Sequence, residues 1–116
     1  MKIGFLVRTG PYTSQNIDTV YEVAKRALKK GHEVKIFLYE DGVFNMNKDI
    51  KSPQERNIAD RMRELLELGA EINGCGTCAK FRGFTRNNLI EGSKLAGMAY
   101  FVEILNTVDR FLSLGF

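Results

Sequence analysis

The sequence predicts an α/β fold built on a sheet with parallel neighbours, and three observations carry that expectation. The short run at residues 3–7 is almost continuous in hydrophobicity, as a strand covered on both faces is, and residues 33–38, with Val34, Ile36, Phe37 and Leu38, read as a second strand. The longer segments between such runs place apolar residues at helical spacing. Two of those segments close on a glycine, Gly31 and Gly69, just before the next apolar run begins.

Taken in order, the strand at residues 3–7 (Ile-Gly-Phe-Leu-Val) ends at the turn signal Thr9-Gly10-Pro11. Thr13 or Ser14 is placed to cap the helix that follows, whose stripe is Ile17, Val20, Tyr21, Ala24, Ala27 and Leu28, with Asp18, Glu22, Lys25, Arg26 and Lys29 away from it. After the second strand and a polar loop, Ser52-Pro53-Gln54-Glu55 combines a capping box with proline at the first helical position. The helix it predicts carries Ile58, Ala59, Met62, Leu65 and Leu66 on one face. A short strand over residues 70–73 then leads into the cysteine segment. Residues 79–84 are read as a helical turn or short helix, and Asn87-Asn88 as a loop. Residues 95–105 read as a helix that is apolar nearly all round, which requires cover on more than one side and predicts a contribution from a second subunit. A final strand is expected over residues 109–114, with Phe111, Leu112 and Leu114.

The totals bound the function. A chain of 116 residues, 44% hydrophobic and 27% charged, suits one domain spanning residues 1–116 with a core that needs no staples. The net charge of +3 is spread among fourteen acids, without the clustered basic face that nucleic-acid binding requires, so no direct nucleic-acid partner is expected. No apolar stretch approaches the roughly 20 residues needed to span a bilayer, so no membrane association is expected either. Residues 1–8 end in a charge and a turn and do not form a signal peptide. The expected location is cytoplasmic, where thiols are held reduced.

The chemistry concentrates in Gly74-Cys75-Gly76-Thr77-Cys78-Ala79-Lys80-Phe81-Arg82-Gly83, which holds both cysteines of the chain. In parallel sheets, ligands and catalytic groups collect at the carboxyl ends of strands. The loops at residues 8–14, 39–44 and 74–83 all leave such ends and are expected to meet around the thiols. The first offers hydroxyls and amides, that of Gly10 among them, to an anion, although it lacks the Gly-x-x-x-x-Gly-Lys pattern of a P-loop and has helix capping as its plainer role. Glu40 and Asp41 are read as solvated loop charges beside the turn signal Asp41-Gly42, and His32 as a surface or strand-edge residue.

Four readings of the two thiols stand side by side. Both can be small buried hydrophobes. A zinc site needs four ligands, and two cysteines with one distant histidine fall short, so no metal or other cofactor is expected. A dithiol redox centre uses the same Cys-x-x-Cys spacing, with the first thiol opening a short helix; the prolines, however, both precede the motif. Nucleophilic sulfur handling needs one reactive thiolate, nearby positive charge and donors for a terminal sulfur. Cys75, Lys80 and Arg82, with Arg86 further on, and the amides of Gly76 and Thr77 supply these; Cys78 either resolves a persulfide or packs.

The stretch from Cys75 to Gly83, in which Arg82-Gly83 follows the first cysteine by seven and eight residues, resembles the DsrE-like (DsrE/DsrF/DsrH, TusD-type) sulfur-relay family. Residues 4–10, 90–97 and 109–112 extend the resemblance. It implies a three-layer α/β/α sandwich with a mainly parallel sheet of about five strands, and a homo-oligomer, trimer or hexamer. It also implies cytoplasmic persulfide transfer between sulfur donor and acceptor proteins, with Cys75 as the active cysteine. The chain departs from the pattern in carrying Cys78 where the well-understood carriers use one cysteine. The expected function is thus a sulfur carrier or sulfurtransferase acting through Cys75, Arg82 and Lys80 stabilising its thiolate. Its alternatives are a thiol–disulfide redox protein using Cys75 and Cys78, or a non-catalytic oligomeric binding module of the same fold.

Overall fold

The computed structural model describes residues 1–116. The first apolar run becomes β1 (Lys2–Val7), which lies inside the sheet between β2 (Glu33–Leu38) and β5 (Arg110–Leu114). With β3 (Glu71–Cys75) and β4 (Lys94–Ala96) the sheet has the order β4-β3-β2-β1-β5, and every pairing is parallel. The helices are α1 (Asn16–Lys29), α2 (Ile58–Glu67), α3 (Gly76–Phe81) and α4 (Met98–Thr107), with 3-10 segments at Glu40–Met46 and Arg86–Asn88. No helix is long and apolar enough to cross a membrane.

Parallel register sets Phe5 beside Ile36 and Val7 beside Leu38, so these four buried side chains share one face. That face takes α1 and α2, whose apolar stripes are buried through Ile17, Val20 and Ala24 and through Ile58, Met62 and Leu65. Phe37 points to the other face, where its ring stacks on Phe101 of α4 with centroids 5.5 Å apart. Phe101 in turn lies 5.8 Å from Phe111 of β5. Close approach of α4 depends on Gly4, because a Cβ there would stand 2.7 Å from Ile104 Cγ2. The result is a three-layer α/β/α sandwich.

Both predicted glycine stops are real, and for the same reason. Gly31 and Gly69 have φ of +90° and +106°, conformations that L side chains resist. Around Gly31 the amides of Gly31 and His32 reach back to the carbonyls of Leu28 and Ala27, both at 3.0 Å, closing a Schellman motif.

The helix starts differ from expectation. Ser52 does not open α2: its hydroxyl accepts the Gln54 N–H at 3.1 Å in a local turn, a competing use of serine beside proline. Asn57 is the N-cap instead, its side chain accepting the Asp60 N–H at 3.1 Å. Helix α1 starts at Asn16 with Gln15 as N-cap and no side-chain cap, and Ser14 only accepts the Asn16 amide at 3.4 Å.

The apolar stretch at residues 95–105 is two elements. Leu95 and Ala96 belong to β4, Gly97 is the N-cap, and α4 follows. Within the chain α4 buries only Ile104 fully, while Met98, Val102 and Leu105 are 50%, 52% and 46% exposed. Its second apolar stripe, at i, i+4 and i+7, faces outward.

Candidate active site at the end of strand β3

Cys75 is at once the last residue of β3 and the N-cap of α3. Its Sγ accepts the N–H of Cys78 at 3.4 Å, satisfying one of the donors that a helix start leaves free. The flanking glycines differ in their reasons. A Cβ on Gly74 would lie 2.3 Å from Met46 Sδ, so Gly74 lets the 3-10 segment pack directly beside the thiol. Gly76 meets only ordinary contacts, at 3.8 Å and beyond.

That 3-10 segment brings the second strand end to the sulfurs. The backbone N–H of Glu40 donates to Cys78 Sγ at 3.3 Å. Glu40 has a φ of +52°, a left-handed conformation that a non-glycine residue holds only when its surroundings impose it. Two contacts do so: its carboxylate pairs with the guanidinium of Arg8, and Gly42 sits where a Cβ would come within 2.1 Å of the Val7 carbonyl oxygen. Asp41, next in line, pairs with Arg82 Nε at 2.8 Å, and Arg82 Nη1 donates to the Cys78 carbonyl at 3.0 Å. Glu40 and Asp41 are solvated loop charges, as their sequence context suggested, and each is also ion-paired, with Arg8 and Arg82. The Asp41-Gly42 turn was the one local signal, and nothing local marks Arg8 or Arg82 as their partners.

The loop after β1 reaches the thiols only through this 3-10 segment. Gly10 stands against the Asp41 carbonyl, 3.4 Å from where its Cβ would lie, and Thr9 takes a hydrogen bond from Asn45 at 3.0 Å through its carbonyl. Arg82 is engaged with Asp41 and the α3 backbone. Thr77 and Lys80 are exposed on α3. Lys80 and Gly76, with Phe84, Thr85, Arg86 and the residues Leu95 to Gly97, line an open groove of about 520 Å³ beside the helix. Phe81, at the end of α3, is 83% exposed.

Both sulfurs are free thiols in largely enclosed positions, Cys75 at 7% and Cys78 at 8% exposure. Burial pushes the Cys78 thiol up from its ordinary value, and a hydrogen bond with the Cys75 side chain adds to this; the Glu40 amide and the Arg82 charge pull the other way. No group of three or more His, Cys, Asp or Glu side chains gathers anywhere in the chain. His32 lies at the opposite end of the sheet, 2.8 Å from the terminal amine of Met1 through Nδ1.

The five-stranded parallel sandwich is a fold shared with known proteins. The model of the DsrE/DsrF-like family matches residues 1–114. The chain belongs to the DsrE/DsrF-like family. Among its relatives in that family, an uncharacterised protein of Methanopyrus kandleri is 36% identical, over 95% of this chain and 91% of that one. DsrE of Allochromatium vinosum is 33% identical over 99% of both chains. Sulfurtransferase TusD of Serratia proteamaculans is 32% identical over 92% of this chain and 95% of its own. The crystal structure of the YchN protein of E. coli superposes with a TM-score of 0.91, covering 98% of this chain and 99% of the other at 21% identity, a likeness of fold. Membership in this family supports a sulfur-relay role for the chain.

Proposed function

We propose that this DsrE-like chain, acting as a single domain, is a cytoplasmic sulfur carrier that passes persulfide sulfur through Cys75. The observation that carries the reading is the place of Cys75 at the β3–α3 junction. There its sulfur accepts a backbone N–H, and the groove lined by its neighbour Gly76 and by Lys80 runs along the same helix. In the loading step the Cys75 thiolate attacks the terminal sulfur of a donor persulfide. One S–S bond forms, one breaks, and the donor leaves as its thiolate. Delivery is the same exchange in reverse toward an acceptor thiolate. The covalent shuttle needs no cofactor.

The other residues take supporting roles in this reading. The N–H groups of Gly76 and Thr77 in the first turn of α3 are oriented to receive negative charge on sulfur. Lys80 adds a mobile cation at the groove. Arg82 holds α3 to the 3-10 segment through Asp41 while lending its charge to the thiol pair. Gly10 contributes indirectly, by seating the Asp41 backbone. The outward stripe of Met98, Val102 and Leu105 on α4 is the surface through which copies of the chain associate, as a trimer or hexamer, and donor and acceptor proteins dock at the thiol end.

Incubation with a persulfide donor followed by intact mass measurement tests the reading. The expected result is a gain of one sulfur atom by the chain or its reaction products, abolished in Cys75→Ser. A chain that takes up sulfur equally well without Cys75 would sink it. One observation favours a second reading, thiol–disulfide exchange: Cys75 opens helix α3, and its Sγ accepts the N–H of Cys78, one turn on, at 3.4 Å.

A further inference from the structure

We infer that Cys78 resolves the persulfide formed on Cys75, so that a loaded chain left without an acceptor releases sulfide and closes a Cys75–Cys78 disulfide. The inference rests on the reading of Cys75 as the sulfur-accepting thiol. It joins the two chemistries that the pair suggests into one sequence of steps.

Position comes first. One turn of α3 separates the two residues, and the N–H of Cys78 already points at Cys75 Sγ at 3.4 Å. Both cysteines are nearly enclosed, so the nearest thiol to a sulfur carried on Cys75 belongs to the same chain. A reaction partner held at contact distance competes strongly with one that must diffuse in.

The surroundings of Cys78 supply the second argument. A cysteine that only fills space needs no polar neighbour. Cys78 Sγ instead receives the Glu40 N–H, from a residue held at φ +52° and anchored by Arg8. The Arg82 guanidinium lies against the Cys78 carbonyl. Together these prepare the Cys78 sulfur to pass through an anionic state. At rest, burial keeps its proton in place, which makes it a poor first nucleophile and leaves it protonated until a sulfur on Cys75 can take the proton.

The step balances without an outside oxidant. Cys75 carries a terminal sulfur as its perthiolate, and Cys78 is a thiol. The Cys78 sulfur attacks Cys75 Sγ, the Cys75–Sγ to terminal-sulfur bond breaks, and the Cys75–Cys78 bond forms. The departing sulfur takes the electron pair and the Cys78 proton and leaves as hydrosulfide. The sulfane sulfur that Cys75 carried is reduced by two electrons to sulfide, and the two cysteine sulfurs are oxidised to the disulfide. A dithiol reductant, small molecule or protein, restores the pair by two further exchanges. The carrier thus delivers sulfur to an acceptor that is already docked, and otherwise discharges it as sulfide.

Glutathione persulfide is the probe, applied to the full-length wild type, Cys78→Ser, Cys78→Ala and Cys75→Ser. After loading and rapid removal of the donor, intact mass, cysteine alkylation and bimane-trapped sulfide are read together. The wild type should show the loss of two hydrogens, two alkylation-resistant cysteines, and one more sulfide per chain than either Cys78 variant. The Cys78 variants should hold one extra sulfur stably on Cys75. A wild type that keeps the extra sulfur with Cys78 open to alkylation overturns the inference and leaves the carrier reading intact, even if neither Cys78 variant folds. Failure of every chain with Cys75 to take up or process sulfur overturns both. Sulfur accumulating on Cys78 in Cys75→Ser at the wild-type rate reverses the roles and overturns the inference alone.

Discussion

The thiol end of the sheet and helix α4 are finished to different degrees. Around Cys75 and Cys78 the backbone is locked: both sulfurs accept backbone N–H groups, Asp41 pairs with Arg82, Glu40 pairs with Arg8, and Gly42 presses against the Val7 carbonyl. Helix α4 shows the reverse. An apolar stripe of Met98, Val102 and Leu105 faces outward, and the buried Tyr100 hydroxyl has no hydrogen-bond partner. Single chains can preorganise a reactive site by local backbone contacts, but an outward apolar stripe is stabilised only by another surface. The thiol end is held by contacts within one chain, and the back of α4 faces outward.

The contrast breaks most directly at Gly42. Gly42→Ala forces a methyl group within 2.1 Å of a backbone oxygen that cannot move without shifting β1. We expect a loss of about 3 kcal/mol or more in urea unfolding, together with faster alkylation of Cys78 in whatever folds. Wild-type stability in Gly42→Ala would show that the corner is not rigid.

The next effect is a pH dependence that touches both regions. Burial raises the Cys78 thiol above its ordinary 9.0, and burial followed by the charge of Glu71 and then that of Glu103 raises the Tyr100 hydroxyl above its ordinary 10.0. The groups facing Cys78 are Cys75, Arg82 and the Glu40 backbone amide. Each group is neutral in the folded state and ionises more easily when unfolded. The stability it contributes is therefore whole below the ordinary value and is lost as pH climbs through the raised one. Urea midpoints should hold steady up to about pH 9 and fall above it. Tyr100→Phe should shallow that fall and, by removing an unpartnered buried hydroxyl, leave neutral-pH stability unchanged or up to about 1 kcal/mol higher. A steeper alkaline fall in Tyr100→Phe would refute the assignment.

Val102→Glu sharpens the other half of the comparison. Placed on an exposed position, it should change the stability of the isolated chain by no more than about 0.5 kcal/mol. Sedimentation should nevertheless show a smaller species than wild type. Equal sedimentation would mean that the α4 stripe does not hold copies of the chain together.

Arg8→Gln has the smallest expected effect on folding, since exposed ion pairs contribute about 0–1 kcal/mol. Its readout is local. Loosening Glu40 from φ +52° should weaken the N–H contact to Cys78 and change the alkylation rate of Cys78 more than that of Cys75.

Much of the architecture was readable because periodicity is local. The runs that became β1 and β2, the stripes of α1 and α2, and the stops at Gly31 and Gly69 all follow from neighbouring residues in the chain. The misreadings have a common cause. Leu95 and Ala96 belong to a three-residue strand because β3 offers them an edge, which no pattern of three residues can announce. Asn57 displaced Ser52 as the α2 cap because serine had an equally good local turn to make. At the site, the position of Cys75 at a strand exit was foreseeable, but the helix begins directly after it, earlier than the residues 79–84 expected to be helical.

By itself the sequence determined four of the five strands, the amphipathic helices α1 and α2, the parallel sense of the sheet, and the placing of two thiols at the exit of β3. These depend on residue spacing over a few positions, which the backbone repeats of helix and strand convert directly into faces. Only the tertiary structure decided what those thiols meet. The Glu40 amide reaches Cys78 across 38 residues of chain, and Arg82 reaches Asp41 across 41. Such contacts leave no local signature, because they arise when the parallel strands align their carboxyl ends and bring distant loops into one corner.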